Sequence, residues 1–281
     1  MCALLYTTMH FSSALFFQRR VRWALSALVL VGAVALWHWT SGRTILGTNF
    51  HEIILPPPAE VAEALWKLVV EDTSFLLEQL QVTAVEIFMG FLLGWALGQG
   101  LGLVLIAVPL MRKMLYPYIV IHHSMPGVVV APIIIAWFGF GPNSKIVQAM
   151  LGTFFPILIN TMVGLTLVDE NGLRLMQSLT ASRWQVFIKF RLPTALPAIF
   201  SGVRIGLTFA VIGAIVSEFL AAERGLGQLI QRYHFELRVA EMYAVILIIA
   251  IIGLVLFFLV EWLDRKLIFW REDPARQLWR A

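Results

Sequence analysis

Charged residues are scarce in this sequence. Asp, Glu, Lys and Arg make up only 14% of the 281 residues, whereas 59% are hydrophobic. Soluble domains carry about 25% charged and 45–50% apolar residues, so this composition excludes an ordinary soluble protein and indicates an integral membrane protein. The net charge of +4 comes from cations beside apolar runs, a distribution typical of membrane topology rather than of nucleic-acid binding.

Cysteine and catalytic motifs are also lacking. Cys2 is the single cysteine, which excludes an intramolecular disulfide and a cysteine-based metal cluster. Only His122 and His123 are adjacent histidines, and adjacent helical residues point apart, so we expect no metal site. The segment "GFGPNSK" (139–145) lacks the glycine before the lysine that a P-loop requires, and HExxH and GxSxG do not occur. We therefore expect no catalytic residue and no cofactor in this chain.

Long apolar runs are what the sequence has in abundance. A helix needs roughly 20 mostly apolar residues to cross a bilayer, and lipid forces its backbone to be hydrogen-bonded internally. The sequence thus predicts an all-α integral membrane protein with one transmembrane domain, 21–262, between an N-terminal lead-in, 1–20, and a C-terminal tail, 263–281. About six transmembrane helices are expected, at approximately 21–39, 80–106, 117–138, 146–168, 198–220 and 242–262.

The distribution of Lys and Arg predicts the orientation. If the N-terminus is inside, fourteen of these residues fall in inner segments and six in outer segments, and Arg204 lies within a span. Cytoplasmic segments carry the excess of Lys and Arg, so both termini and residues 169–197 are expected on the cytoplasmic side.

Residues 169–197 predict two short helices that lie along the membrane. Asp169 or Asn171 is suited to cap the first helix, and "SRWQ" (182–185) fits a capping box at the start of the second. The prolines of "LPTALP" (192–197) are expected to end the second helix and redirect the chain into the fifth span. A basic interfacial loop that only fixes topology is the alternative, but it leaves the capping box and the aromatic residues unexplained.

Small residues and helix breakers mark two of the spans. Glycines recur every four residues on one face of "GFLLGWALGQGLG" (90–102), a spacing that permits close helix contact. The segment "HHSMPGVVVAP" (122–132) places two prolines and a glycine in the middle of the third span. Its residues Ser124, Met125 and Pro126 either pack the bundle or line a transport pathway.

The fifth span contains two charges, which are costly in a membrane. Arg204 lies about two turns into the span, from where its side chain can snorkel to the cytoplasmic surface as an anchor. Glu218 lies near the outer end, where it is either a gate or pathway residue or part of a hydrated helix end. Ser217 beside it is a further pathway candidate.

Four stretches, read together, resemble a known family. They are "PGVVVAPIIIAWFGFGPNSK" (126–145), "FFPILINTMVGL" (154–165), "SLTASRWQVFIKFRLPTALPAIFSGVRIGL" (178–207) and "IGAIVSEFLAAERGLGQLI" (212–230). Over roughly residues 55–270 the chain resembles permease subunits of bacterial ABC importers of the nitrate, sulfonate and taurine type, whose relatives import thiamine-precursor pyrimidines or riboflavin. The resemblance implies the type I ABC importer permease fold.

In that family a cytoplasmic loop with the pattern E-A-A-x3-G-x9-I-x-L-P docks on the ATP-binding subunit. Aligned on the Leu-Pro end, the loop here reads "RLM" (174–176), then Thr180 and Phe190. Arginine in place of glutamate predicts an altered groove on the partner. Threonine in place of glycine predicts a joint without a left-handed residue. The residues that the resemblance assigns to coupling are Arg174, Ser178, Thr180, Ala181, Ser182, Arg183 and Trp184.

The resemblance further implies a permease that is not itself an enzyme and lies in the bacterial inner membrane. It would pair with a second copy or with a related permease, with two cytoplasmic ATP-binding subunits that hold ATP and Mg, and with an extracytoplasmic solute-binding protein. The solute would be a nitrate-, sulfonate- or taurine-like anion or a pyrimidine- or riboflavin-type vitamin precursor, and residues 201–219 look closer to the second group. The alternatives are an ion-coupled secondary transporter or channel that acts without an ATPase, and a membrane scaffold.

Overall fold

A computed structural model describes residues 24–45, 48–50 and 54–270 of the chain. Within this part the chain is almost entirely helical, which confirms the predicted all-α class. One small addition is an antiparallel pair of three-residue strands, β1 (Arg43–Ile45) and β2 (Thr48–Phe50), in which Arg43 lies opposite Phe50. The helices are α1 (Ala24–Thr40), α2 (Pro58–Trp66), α3 (Thr73–Ala107), α4 (Pro109–Ser124), α5 (Gly127–Phe138), α6 (Pro142–Thr166), α7 (Glu170–Ser178), α8 (Arg183–Val186), α9 (Leu192–Ala221), α10 (Leu226–Phe235) and α11 (Val239–Leu267).

Four of the described helices are long and apolar enough to cross a membrane. They are α3, α6, α11 and the continuous helix Arg183–Ala221, which contains α8 and α9. The predicted third span is not one helix, because α4 and α5 are bent by 101° against each other. A proline at the bend removes a backbone donor and disfavours helical geometry in the preceding residue, here Met125, whose backbone is extended.

The packing of α3 against α6 shows how the broken pair runs. Gly90 of α3 lies against Ala149 of α6, and Gly102 lies against Thr161, so the two helices run in the same direction. Neighbouring parallel spans require the intervening chain to return across the bilayer. We therefore assign α4 and α5 together as one broken crossing, which brings the total to five together with α3, α6, Arg183–Ala221 and α11.

The first predicted span corresponds to α1, which has 17 described residues. At 1.5 Å per residue it is about 25 Å long, slightly less than a 30 Å hydrocarbon layer. The predicted span begins at residue 21, and residues 21–23 lie outside the described part. The indole of Trp37, near the end of α1, donates a hydrogen bond to the carbonyl of Pro56 (3.0 Å), which ties α1 to the start of α2.

The centre of the bundle is α6, which packs against α3 on one side and α9 on the other. The predicted glycine face of α3 is buried against α6, which confirms the expected close contact. Helix α9 runs antiparallel to α6, since Gly202 contacts Asn160 whereas Gly213 contacts Gln148. Small residues let the backbones approach closely, so these three helices form a tightly packed frame.

The prediction that prolines end the second inner helix is wrong. A π-helical turn, Phe187–Arg191, joins α8 to α9 without a break, and the amide of Leu192 donates to the carbonyl of Phe187. Pro193 follows directly after this turn and Pro197 lies further along the helix, so both prolines are within the continuous helix. The chain therefore enters the span as a continuous helix of 39 residues.

Candidate functional site

The joint between α7 and α8 has a defined backbone conformation. Thr180 adopts φ +54°, so the predicted absence of a left-handed residue is wrong. The amide of Ala181 donates to the carbonyl of Met176 (3.1 Å), and that of Thr180 donates to Gln177 (2.9 Å). This is the Schellman pattern, in which a left-handed residue turns two amides back onto the last helical carbonyls. The threonine therefore holds the conformation for which the family pattern uses glycine.

Both short helices begin with the predicted side-chain caps. The carboxylate of Asp169 accepts hydrogen bonds from the amides of Asn171 (3.2 Å) and Gly172 (3.1 Å). The Ser182 hydroxyl accepts from the amide of Gln185 (3.3 Å), whose side-chain oxygen accepts from the Ser182 amide (2.8 Å), which confirms the capping box. These caps fix where each helix starts.

The two short helices also contact each other. The ring of Phe190 lies over Gly172, in the space that a larger side chain at this position would need. Phe190 is at the isoleucine position of the family pattern, and the contact holds α7 against the π-helical turn. With the Schellman joint and the capping box, it makes residues 169–191 a structured unit at the inner end of the bundle.

This unit presents exposed apolar side chains. Trp184, Leu179 and Leu175 are 69%, 66% and 61% exposed, and Arg174 and Arg183, next to two of them in the sequence, are exposed as well. Exposed apolar patches with a polar rim are typical of protein interaction sites. We call the patch the coupling surface; it contains all seven residues predicted for coupling, together with Leu175 and Leu179, which sequence reasoning did not assign.

A cavity of about 400 Å³ lies at the bend between α4 and α5. Three of the predicted pathway residues, Ser124, Met125 and Pro126, line it. Sequence reasoning missed the residues that α6 and α9 contribute, because nothing in the local pattern relates them to the bend. These include Gln148, Leu151, Gly152, Phe155, Phe209 and Gly213.

Two contacts order the wall of this cavity. Gln148 is 5% exposed, and its amide nitrogen donates to the carbonyl of Gly127 at the start of α5 (2.8 Å). The ring of His123 stacks on Phe155 with centroids 3.6 Å apart and planes within 8°. The residues found to line the cavity include no Lys, Arg, Asp or Glu. The wall is therefore aromatic and hydrogen-bonding, and His122 and His123 are the only ionisable side chains among these residues.

Ser217 and Glu218 do not line this cavity, and both are fully buried in α9. The expectation that Glu218 lies at a hydrated helix end is wrong. Its carboxylate accepts hydrogen bonds from the hydroxyl of Thr83 (2.6 Å) and from the amide of Gly227 (2.6 Å). Glu218 thus joins α3 to the start of α10, and whether it also acts in transport stays a prediction.

The start of α10 depends on side chains from distant parts of the chain. The amide of Leu226 donates to the hydroxyl oxygen of Thr83 (2.8 Å), and that of Gly225 donates to the side-chain oxygen of Gln79 (2.8 Å). Gly225 has φ +116°, and the Glu218 carboxylate lies where a side chain at this position would be. The orphan amides of a helix start are thereby satisfied from α3 and α9.

Lys145 is a second buried charge at the outer end. It is 2% exposed, and its ammonium group donates to the carbonyls of Ala221 (2.7 Å), Gly141 (3.0 Å) and Phe140. Lys145 is the lysine of the "GFGPNSK" segment. It therefore caps the end of α9 and holds the turn before α6. It also lines, together with Glu86, a second cavity of about 530 Å³.

Arg204 is paired within the bundle. Its guanidinium contacts the carboxylate of Asp264 on α11 (3.1 Å) and lies over the ring of Phe257 at 5.2 Å. Arg204, which was predicted to anchor the span at the cytoplasmic surface, links α9 to α11 within the bundle.

The sequence matches the family described as "Binding-protein-dependent transport system inner membrane component" over residues 86–269, which is more than half of the chain. The chain belongs to this family of ABC importer permeases. The permease is 34% identical over 245 residues to a "Probable ABC transporter permease protein" of Haemophilus influenzae, which covers 87% of this chain and 97% of the relative.

Two further relatives match nearly full length. The riboflavin transport system permease protein RibX of Chloroflexus aurantiacus is 34% identical, covering 90% of this chain and 92% of the relative. The putative aliphatic sulfonates transport permease protein SsuC of Bacillus subtilis is 30% identical, covering 91% of each chain. The permease is also similar in fold to a chain of the MetNI methionine ABC transporter, with a TM-score of 0.57, 19% identity and coverage of 69% and 94%. The predicted family, fold and permease function are confirmed.

Proposed function

We propose that this permease forms one half of the membrane pathway of an ATP-driven importer. Two copies would enclose the pathway, two cytoplasmic ATP-binding subunits with ATP and Mg would drive it, and an extracytoplasmic solute-binding protein would deliver a small solute. The observation that carries this proposal is the coupling surface, a capped and structured helix pair that exposes Trp184 and two leucines. Aromatic and arginine side chains are enriched at the energetic centres of protein interfaces.

The connection between the coupling surface and the bundle supports the same proposal. Trp184 lies on the first turn of the continuous helix that ends at Ala221. A partner that displaces α8 displaces α9 with it, because no loop separates them. Helix α9 in turn packs along α6 through closely apposed small residues. A movement of the ATP-binding subunits would therefore reach the cavity at the α4–α5 bend, to which α6 and α9 both contribute.

The proposed orientation places both termini in the cytoplasm. The excess of Lys and Arg in the inner segments supports this assignment. It requires α1 to be an outward crossing before α3, so that the chain crosses the membrane an even number of times. In this arrangement α3, α6 and α11 run inward, whereas the α4–α5 pair and α9 run outward. The coupling surface then faces the cytoplasm, and α2 and α10 lie at the outer face.

The solute classes that we propose follow the names of the relatives. RibX is named for riboflavin and SsuC for aliphatic sulfonates, which correspond to the two groups that the sequence suggested. A homodimer is the simplest arrangement, because one chain supplies one coupling surface and cyclic pairs are the commonest assemblies.

A charge reversal with a truncation at the coupling surface tests the proposal. Arg183→Glu with Trp184→Ala should abolish co-purification of the ATP-binding subunit from native membranes and stop ATP-dependent uptake. The matched control is Arg224→Glu with Trp66→Ala, which makes the same changes at exposed residues of the outer end. The control should retain the ATP-binding subunit. Normal co-purification and uptake with the inner variant would contradict the proposal, and ion-driven uptake by this chain alone would favour a secondary transporter.

A further inference from the structure

The cavity at the α4–α5 bend has the character of a ligand site. Its volume of about 400 Å³ lies within the roughly 300–1,000 Å³ of small-molecule sites. It also lies at a broken membrane helix, the feature around which many transporters build their substrate sites. The chemistry of its wall indicates which class of molecule it suits.

Gln148 supplies a hydrogen-bond acceptor that has no donor among the residues that the structure describes. The bond from its amide nitrogen to the carbonyl of Gly127 fixes the orientation of the amide. Its side-chain oxygen is buried and has no hydrogen-bond partner among the residues that the structure describes. Buried polar atoms are rarely left unsatisfied, so this oxygen points to an N–H or O–H group of a ligand.

The start of α5 supplies donors beside that acceptor. Gly127 and Val128 open the helix and line the cavity, and the first amides of a helix have no partner within it. In addition, Pro132 has no N–H, which leaves the carbonyl of Val128 without its usual helical partner. The start of α5 therefore has backbone donors and a free backbone acceptor near the Gln148 oxygen.

Aromatic rings form another part of the wall. His123 and Phe155 stack in parallel, and Phe209 contributes a further ring from α9. Flat faces of this kind bind flat rings by stacking in offset geometry.

We infer that this cavity binds an uncharged heteroaromatic ring whose edge carries an N–H next to a C=O, as in a pyrimidinone or a flavin, and that this is the class of the transported solute. The second part rests on the proposed function. A simple alkyl sulfonate offers acceptors only, so it has no N–H or O–H group for the oxygen of Gln148. Among the described residues of the wall it also finds no Lys or Arg partner, and His122 and His123 are the only ionisable side chains there.

Three small probes separate the two classes on the unaltered protein. Uracil has the N–H and C=O edge, 1,3-dimethyluracil keeps the ring and carbonyls but has no N–H, and methanesulfonate represents the anions. Saturation-transfer NMR on the full-length permease in lipid nanodiscs, with the subunits that accompany it, detects weak binding of each. We expect binding of uracil, at least fivefold weaker binding of dimethyluracil, and none of methanesulfonate.

One variant and its control then locate the site. Gln148→Met removes the acceptor and should weaken uracil binding about three- to tenfold, the range of one lost hydrogen bond. Gln99→Met is the control, because Gln99 accepts from Thr161 between α3 and α6 and does not line the cavity. It should leave uracil binding unchanged.

Several results would overturn the inference: binding of methanesulfonate without uracil, equal binding of uracil and dimethyluracil, or no binding of any probe. Different results would refute the proposed importer function. ATP-dependent uptake of a sulfonate by the intact importer would keep the proposed function and refute the ring as the class of the transported solute. Uracil binding by a permease that never associates with an ATP-binding subunit would keep the cavity and refute the importer.

Discussion

Replacing Thr180 by glycine should stabilise the joint between α7 and α8. A left-handed conformation costs an L-residue roughly 1–2 kcal/mol, and a β-branched side chain such as threonine tolerates it poorly. Glycine removes this strain but adds about 0.5–1 kcal/mol of backbone entropy to the unfolded segment. The replacement also loses the exposed bond from the Thr180 hydroxyl to the Leu179 carbonyl, which contributes little in water. The net gain is about 0.5–1 kcal/mol.

This gain belongs to the joint rather than to the whole bundle, so the assay must be local. Hydrogen exchange with mass spectrometry on peptides that cover residues 176–182 should show amide exchange slowed about two- to fivefold, since 1.4 kcal/mol corresponds to a factor of ten. Ser178→Gly is the matched control, because Ser178 is helical and exposed, and glycine there should speed exchange. Faster exchange in the Thr180→Gly protein would refute the assignment of strain.

Three further outcomes follow from the outer end of the bundle. Lys145→Met leaves buried carbonyls without their donor and should lower the free energy of unfolding by about 1–3 kcal/mol, measured by thermal unfolding in detergent; an unchanged midpoint would show that the lysine is dispensable. Thr83→Val keeps the shape of the side chain but leaves the amide of Leu226 without its acceptor. In the same assay it should lower the free energy of unfolding by about 1–3 kcal/mol. The hydrogen bond from Arg232 holds the pKa of Glu236 below its usual 4.5, so its pairing is complete at neutral pH and is lost as the pH falls below that range. Protection of the amides in the last turn of α10, taken relative to the intrinsic exchange rate at each pH, should therefore fall only in acid.

Local features could be predicted from the sequence. The caps at Asp169 and Ser182 depend on residues two or three positions away, and both occur as expected. The glycine face of α3 is likewise a regular local pattern, and its burial follows from the need of one helix face to contact another. The helical class follows from apolar runs of about 20 residues in a lipid environment.

Features set by distant partners could not be predicted. The burial of Glu218 depends on Thr83, 135 positions earlier, and the role of Lys145 depends on Ala221, 76 positions later. Gln148 was missed for the same reason, since only the fold brings it to Gly127. The effects of the prolines could not be predicted either. The helix continues past Pro193 after a π-helical turn, whereas the predicted third span bends by 101° at Pro126. The backbone of Thr180 is dictated by the carbonyls at the end of α7 and not by its own preference.

The way in which α10 begins has a consequence for how the protein is made. Gln79 and Thr83 enter the membrane early in synthesis, but the amides that bond to them belong to residues 225 and 226, more than 140 positions later. Until then the side chains of Gln79 and Thr83 lack these partners. A product that ends before residue 225 would therefore keep a polar edge on α3 that the complete chain buries.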